Sequence, residues 1–154
     1  MSTNVLAEQK VVTGIDIGRN GKVSCSTGYQ ITVDSYAQLC KLFQQFVDYK
    51  TAIIGLEDHS KASREFKLKN KKLFQAHNLI VRYSKNRSFG NIELVSVDKF
   101  KSSIICSRCR FVDKESRVLP WQFECTACGY KINADVNAAI NIKYAAQEII
   151  ENII

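Results

Sequence analysis

Four cysteines fall into two Cys-x-x-Cys pairs, Cys106/Cys109 and Cys125/Cys128, with fifteen residues between the pairs. That spacing lies in the range of a four-cysteine zinc ribbon, in which two tight turns each present two thiolates to one tetrahedral ion. Gly129, directly after the last cysteine, tolerates the positive φ that such a turn demands. One zinc ion held by Cys106, Cys109, Cys125 and Cys128 is therefore expected, structural and closed to water. A few residues further on, Asp135 opens an apolar-periodic segment. Two more acids end apolar runs, Asp16 in KVVTGIDI and Glu57 in TAIIGLE. Carboxylates are the hard oxygen ligands that Mg²⁺ prefers, and a pair of Mg²⁺ or Mn²⁺ ions held by such a cluster drives phosphodiester hydrolysis. One acid at a strand end is a weak signal. Three, the last of them beside a metal-stapled loop, form a pattern.

The acids need elements to bring them together. KVVTGIDI (10–17) is a β-branched run followed by Gly18, Asn20 and Gly21, which reads as a buried strand entering a tight turn. KVSCST (22–27) and YQITVD (29–34), parted by Gly28, continue as a meander. Asp34 or Ser35 can cap a helix that carries Leu39, Cys40, Phe43, Phe46 and Val47 at helical spacing to about Tyr49. TAIIGLE (51–57) is a fourth strand. Three antiparallel strands, a helix and a fourth strand are the opening of an RNase H-like fold, where the first and fourth strands lie side by side and would make Asp16 and Glu57 neighbours. From Lys61 the pattern becomes one long basic helix ending near Phe89–Gly90, with Phe66, Leu73, Phe74, His77, Ile80 and Val81 on one side. Within it LIVRYS (79–84) is also compatible with a strand, but helix fits better. NIELVSVD (91–98) is the fifth strand. From Asp135 a last helix runs to the C-terminus with Ala139, Ile142, Ala146, Ile149 and Ile153 facing inward. The expected class is α/β: a tail over 1–9, an RNase H-like domain over 10–102 and 132–154 built on a five-stranded mixed sheet with flanking helices, and a zinc ribbon inserted at 103–131.

At 154 residues, 45% hydrophobic and 24% charged, the chain suits one core plus a small appendage. It has no apolar run of membrane-span length and no basic start followed by an apolar signal core, so a cytoplasmic, reducing compartment is expected and no membrane partner. There Cys25 and Cys40 are small buried hydrophobes, and the other four are ligands, not disulfides. The net charge of +7 is concentrated: Lys61, Arg64, Lys67, Lys69, Lys71, Lys72, Arg82, Lys85 and Arg87 stand against the single acid Glu65 between positions 61 and 87. A stripe of this kind points to a polyanion, and nucleic acid is the commonest one; any single lysine in it is equally compatible with a solvated helix face. His59 beside Glu57 and Asp58 is read first as a polar loop residue, His77 as a core histidine. Trp121 and Phe123 are expected to pack over the cysteine knuckle in preference to stacking on bases.

GIDIGRNGKVSCSTG, IIGLED and SSIICSRC…FECTACGYKINADVNAAINI resemble the three RuvC motifs and embedded zinc ribbon of TnpB proteins, an arrangement shared by the related type V CRISPR effectors. The resemblance covers roughly residues 10–145 and is most specific where CxxCG runs into DxNAAxNI. It implies that Asp16, Glu57 and Asp135 are the catalytic, metal-binding acids and that Cys106, Cys109, Cys125 and Cys128 bind zinc. Three positions depart from the family pattern. Arg110 stands where glycine usually follows the second cysteine, Asn133 replaces the first acid of an Asp-x-Asp, and His59 replaces an apolar residue. Family members also carry a long N-terminal region that grips guide RNA and target DNA, whereas this sequence opens almost at the first motif.

The expected function is a Mg²⁺- or Mn²⁺-dependent endonuclease of the RuvC type. DNA is the favoured substrate and RNA is left open. The enzyme acts alone or with a guide RNA or targeting protein, and a homodimer spanning a duplex is one conceivable assembly. The competing expectation is a non-catalytic nucleic-acid-binding module that retains the fold. Three converging carboxylates weigh against it, since unpaired they would repel one another and the phosphate backbone.

Overall fold

The computed structural model describes residues 11–46 and 51–153. The expected tail at 1–9, Lys10 and Val47 lie outside them, as do the side chains of Arg87 and Ile153. Eight strands and four α-helices are present among the described residues. β1 (Val11–Ile17), β2 (Lys22–Cys25) and β3 (Gln30–Thr32) form the antiparallel meander, and helix α1 (Tyr36–Phe43) follows, its first turn capped by the Ser35 side chain. β4 (Ala52–Glu57) then returns parallel to β1, and β5 (Ile92–Val97) lies parallel to β4. The five strands make one mixed sheet in the order β3-β2-β1-β4-β5.

Alternation along the two central strands explains both faces of the sheet. Ile15, Ile17, Ala52, Ile54 and Leu56 point into the larger core, where Leu39, Leu42 and Phe43 of α1 and Leu73, Ala76 and Ile80 of α3 (Lys71–Ser84) meet them. The other face carries Val12, Gly14 and Asp16 of β1 beside Ile53, Gly55 and Glu57 of β4. Across it lies α4 (Ala134–Ile153), which buries Ala139, Ile142 and Ala146 and rests Ile149 against the cluster around Val97. The register pairs Gly14 with Gly55. Both are missing a Cβ for the same reason: a methyl on Gly14 would fall on the backbone of Ala139 and Lys143, and one on Gly55 would lie 2.8 Å from the Ala146 methyl.

The long basic helix expected over 61–87 is two helices, α2 (Arg64–Lys69) and α3, and α3 ends at Ser84, followed by a single 3₁₀ turn before Gly90 at φ 91°. The break sits at Asn70, with φ −123° and ψ 43°. Its side-chain amide donates to the Phe66 carbonyl at 2.8 Å, so the side chain competes with the backbone ladder there. LIVRYS is helical throughout. No helix among the described residues is long and apolar enough to cross a membrane.

The segment 103–133 carries the cysteines, a bridge between Ile105 and Val112, and a small antiparallel sheet of β6 (Arg117–Leu119), β7 (Gln122–Glu124) and β8 (Lys131–Asn133), which reaches two residues past the expected ribbon end at 131. Phe123 is fully buried against Cys106 and Cys125. Trp121, expected to pack there too, is 61% exposed: it lies in the turn before β7, outside the strand that carries Phe123 to the knuckle. Cys25 is buried as expected, and Cys40 is half-buried.

Replacing Gly14 by alanine should lift α4 off β1 and cost about 3 kcal/mol or more, the upper range for forced overpacking against backbone. Chemical denaturation checks it: Gly14→Ala should lose more stability than Gly28→Ala, where added bulk meets open space and only the backbone at φ 97° is strained.

Candidate active site and cysteine cluster

Register places the first two acids. Ile15 of β1 lies opposite Leu56 of β4, so one step further Asp16 faces Glu57, both on the α4 side of the sheet. α4 supplies the third. Its N-cap is Asn133, whose Oδ1 accepts from the backbone N–H of Asp135 at 2.9 Å and Val136 at 3.1 Å, the bonding that makes asparagine a favoured cap. Asp135 thus sits in the first turn, where the helix dipole favours a negative charge. Asp16, Glu57 and Asp135 line one cavity of about 690 Å³.

Within the cavity Asp16 is only weakly compensated. Burial, with the Asp135 and Glu57 carboxylates adding to it and only Arg117 opposing, pushes the Asp16 carboxyl up to about 7. Burial also raises Glu57, against a 2.9 Å hydrogen bond from Ser102 Oγ and the nearby Lys99. Arg117 reaches over from β6 to within 3.6 Å of Asp135 Oδ1 and donates to the Pro120 carbonyl at 2.7 Å. Three carboxylates gathered in one cavity are an oxygen-donor set that suits a hard divalent cation.

The second cluster is thiol. Cys106, Cys109, Cys125 and Cys128 bring their sulfurs within 4.8 Å of one another, a group able to hold a metal ion. Cys106 Sγ lies 3.7 Å from Cys128 Sγ and Cys109 Sγ 3.6 Å from Cys125 Sγ. Those separations are close to the edge of a tetrahedron with arms of about 2.3 Å, the Zn–S bond length. In each pair the backbone N–H of the second cysteine donates to the first sulfur at 3.4 Å. Gly129 adopts φ 76°, as its position in the motif suggested.

Between the two clusters runs a connection that sequence reasoning passed over. Asn137 and Asn141, both fully buried on α4, hold the loop that leads into the cysteines. Asn137 accepts from the Ser107 N–H at 2.9 Å and donates to the Ile105 carbonyl at 2.8 Å. Asn141 donates to the carbonyls of Ser102 at 2.9 Å and Ile105 at 2.8 Å, and accepts from Arg110 Nη1 at 2.8 Å. The signal was available: two amides four residues apart within an alanine-rich inward stripe must find partners. Ser102 and Arg117 carried no such signal, because nothing local marks which serine or arginine will face the acids.

The basic residues are placed differently from the acids. Lys61, Arg64, Lys67, Lys69, Lys71, Lys72, Arg82 and Lys85 are all exposed, and Lys69 pairs with Glu65 at 2.9 Å. None of them lines the acid cavity, whose cations are Arg19, Lys99 and Arg117. His59 does line it, and its ring packs 5.7 Å from Phe74 and 5.5 Å from His77. Burial lowers both histidines.

Residues 84–142 match the family model described as Cas12f1-like, TNB domain. Over 51 residues the chain is 43% identical to the CRISPR-associated endodeoxyribonuclease Cas12f1 of Sulfoacidibacillus thermotolerans, a match covering 33% of this chain and 12% of that protein. In solved structures, the fold is similar to Cas12f1 in its complex with sgRNA and target DNA, with a TM-score of 0.57 and 18% identity over 86% of this chain and 49% of the other. It is similar also to the mini-RNA-guided endonuclease CRISPR-Cas_phi3, with a TM-score of 0.55 and 23% identity over 71% of this chain and 18% of that one. The chain thus spans half or less of the relatives it matches. In sequence motifs and in fold alike it is TnpB-like and type V CRISPR-effector-like.

The Asp16 shift has a measurable sign. Folded, the carboxyl titrates near 7 in place of its ordinary 3.8, so between these values the folded state binds more protons than the unfolded one. Stability in buffer without added magnesium should therefore fall as pH rises from about 4 to about 7. Asp16→Asn should flatten that fall. Equal slopes for the two proteins, measured by urea denaturation, would show that Asp16 titrates normally.

Proposed function

We propose that the chain is a RuvC-type nuclease domain with an RNase H-like sheet, which hydrolyses phosphodiester bonds in nucleic acid. The observation that carries this reading is the convergence of Asp16, Glu57 and Asp135, from two strands and a helix start, in one cavity where the Asp16 carboxyl is pushed up to about 7. These three would hold Mg²⁺ or Mn²⁺. Bound there, the metal supplies Lewis-acid charge and lowers the pKa of a bound water. The chain's own part is to fix the acids, and Ser102 does so for Glu57 by hydrogen bond. Arg19, Lys99 and Arg117 on the cavity wall attract the phosphate backbone. The exposed cations between Lys61 and Arg87 extend that attraction outward as a steering field.

One zinc ion held by the four thiolates would close residues 103–131 as a ribbon inserted between 10–102 and 132–154. It stays outside the chemistry because its four positions are filled by sulfur. The sulfur spacing supports zinc over a hard oxygen-seeking ion. DNA as substrate and a guide RNA as partner are favoured by the resemblance to Cas12f1, which is named an endodeoxyribonuclease and was solved with sgRNA and target DNA.

The test is cleavage of single-stranded, duplex and branched DNA with and without guide RNA, in Mg²⁺, Mn²⁺ or Ca²⁺. Mg²⁺ and Mn²⁺ should support turnover with 5′-phosphate products. Ca²⁺ should support binding only, since its larger and looser shell does not impose near-octahedral geometry. Glu57→Gln should lower cleavage by roughly 100-fold or more while leaving binding in place. Absence of metal-dependent cleavage of every substrate would return the chain to the binding-module reading. Separately, metal analysis should find about one zinc per chain, lost with Cys125→Ser.

A further inference from the structure

Helix α2 buries none of its six residues, although it carries Phe66 and Leu68. A helix this short has no stability of its own, and its only side-chain cap is Ser63, which accepts from the Phe66 N–H at 3.1 Å. Phe66 is not part of the buried core. It lines the acid cavity instead, with Lys99 Nζ 5.0 Å from its ring centroid. Phe74, half-buried at the edge of the core, repeats the arrangement: its ring centroid lies 6.1 Å from that of Phe66, nearly perpendicular at 88°, with Lys67 Nζ 6.0 Å away. Two rings, each with an ammonium over it, thus stand side by side next to three carboxylates.

His59 lines the 690 Å³ acid cavity and two smaller neighbours of about 310 and 280 Å³. Phe66 stands in the first of these and Phe74, with Lys67, in the last. Lys61 and Lys99 line the remaining one with Asp58 and Asp98. The acids, the two rings and cations of α2 thus surround one histidine.

We propose that Phe66 and Phe74, with Lys99 and Lys67, form a base-stacking track for an unpaired nucleic-acid strand leaving the acid site. Bases rest on the rings while the ammonium groups, on flexible stems, turn to the phosphates. This combination of ring and cation binds single strands without sequence preference, because every base has a π-face. A duplex offers its bases to no such surface. The track rests on the reading of the acids as the place where the strand is cut.

Its test does not use cleavage. Binding of dT20 and of an abasic 20-mer with the same phosphates is compared without magnesium at one salt concentration, so that the electrostatic contribution cancels. The wild-type protein should prefer dT20 by roughly 5- to 150-fold, the affinity change of one stacked base. Phe66→Leu, which keeps apolar volume, should reduce that preference by weakening dT20 alone, and Phe66→Leu with Phe74→Leu should erase it. Phe66→Tyr should retain it, which separates loss of the ring from loss of the fold. Equal binding of the two oligonucleotides by wild type, or a preference that Phe66→Leu leaves unchanged, overturns the track. A protein that shows the Phe66-dependent preference but cleaves nothing keeps the track and loses the nuclease reading. A protein that cleaves without the preference does the reverse.

Discussion

The close approach of α4 to the sheet, across the paired glycines Gly14 and Gly55, is the constraint on which the rest of the structure depends. A glycine in a strand interior costs about 0.5–1 kcal/mol relative to alanine. Two of them in register, at the centre of the sheet, make sense only where something must come nearer than a Cβ allows. What comes near is the backbone of Ala139 and Lys143 and the methyl of Ala146. The same row of the sheet continues, two residues on in each strand, to Asp16 and Glu57. The helix that fits the glycines therefore delivers its first turn, with Asp135, to the acids. Apolar packing at one end of the row and carboxylate chemistry at the other are set by one docking event.

That arrangement opposes its own stability. Burial first, and then repulsion from the Asp135 and Glu57 carboxylates, raises the Asp16 carboxyl to about 7. Neighbouring groups relieve the repulsion only in part, through Ser102 on Glu57 and Arg117 near Asp135. A purely structural site would pair or replace these acids, because uncompensated buried charge is strongly destabilising. Three such acids retained in one cavity, with Asp16 strongly shifted, are the kind of perturbed cluster that marks candidate functional sites.

The elements that period and terminal residues define could be read directly. The β-branched runs gave the five strands within a residue or two, and the acids at their ends were visible as acids. Adjacency of β1 and β4 followed from the element order, and the cysteine spacing announced a cluster whose sulfurs do converge. Long-range polar contacts were not legible. Ser102 meets Glu57 across 45 positions, and Asn141 meets Ser102 across 39. The single basic helix failed for a local reason: lysine-rich periodicity runs on through Asn70, while the side chain of Asn70 competes for the backbone and turns the chain. Trp121 failed because it falls in the turn before β7, where the strand's alternation no longer sets which way a side chain faces.

Two departures from the family pattern become intelligible in this geometry. Arg110 adopts φ 71°, the left-handed region in which glycine is at ease and other residues lose about 1–2 kcal/mol. It offsets that strain by donating to buried Asn141 and lying over Tyr144 at 5.4 Å, so the residue that bends the knuckle also ties it to α4. Asn133 caps α4 through one oxygen that also accepts from Gln30 Nε2 at 3.2 Å, which links the helix start to β3. An aspartate would cap equally well, but it would bring a fourth carboxylate close to the other three. The neutral amide does the capping without that charge. The first turn of α4 is thereby held from three sides, by β3 through Gln30, by β6 through Arg117, and by the cysteine loop through Asn137. Of these groups, Gln30 and Asn137 hold the turn without bonding to the Asp135 carboxylate, and Arg117 approaches it directly.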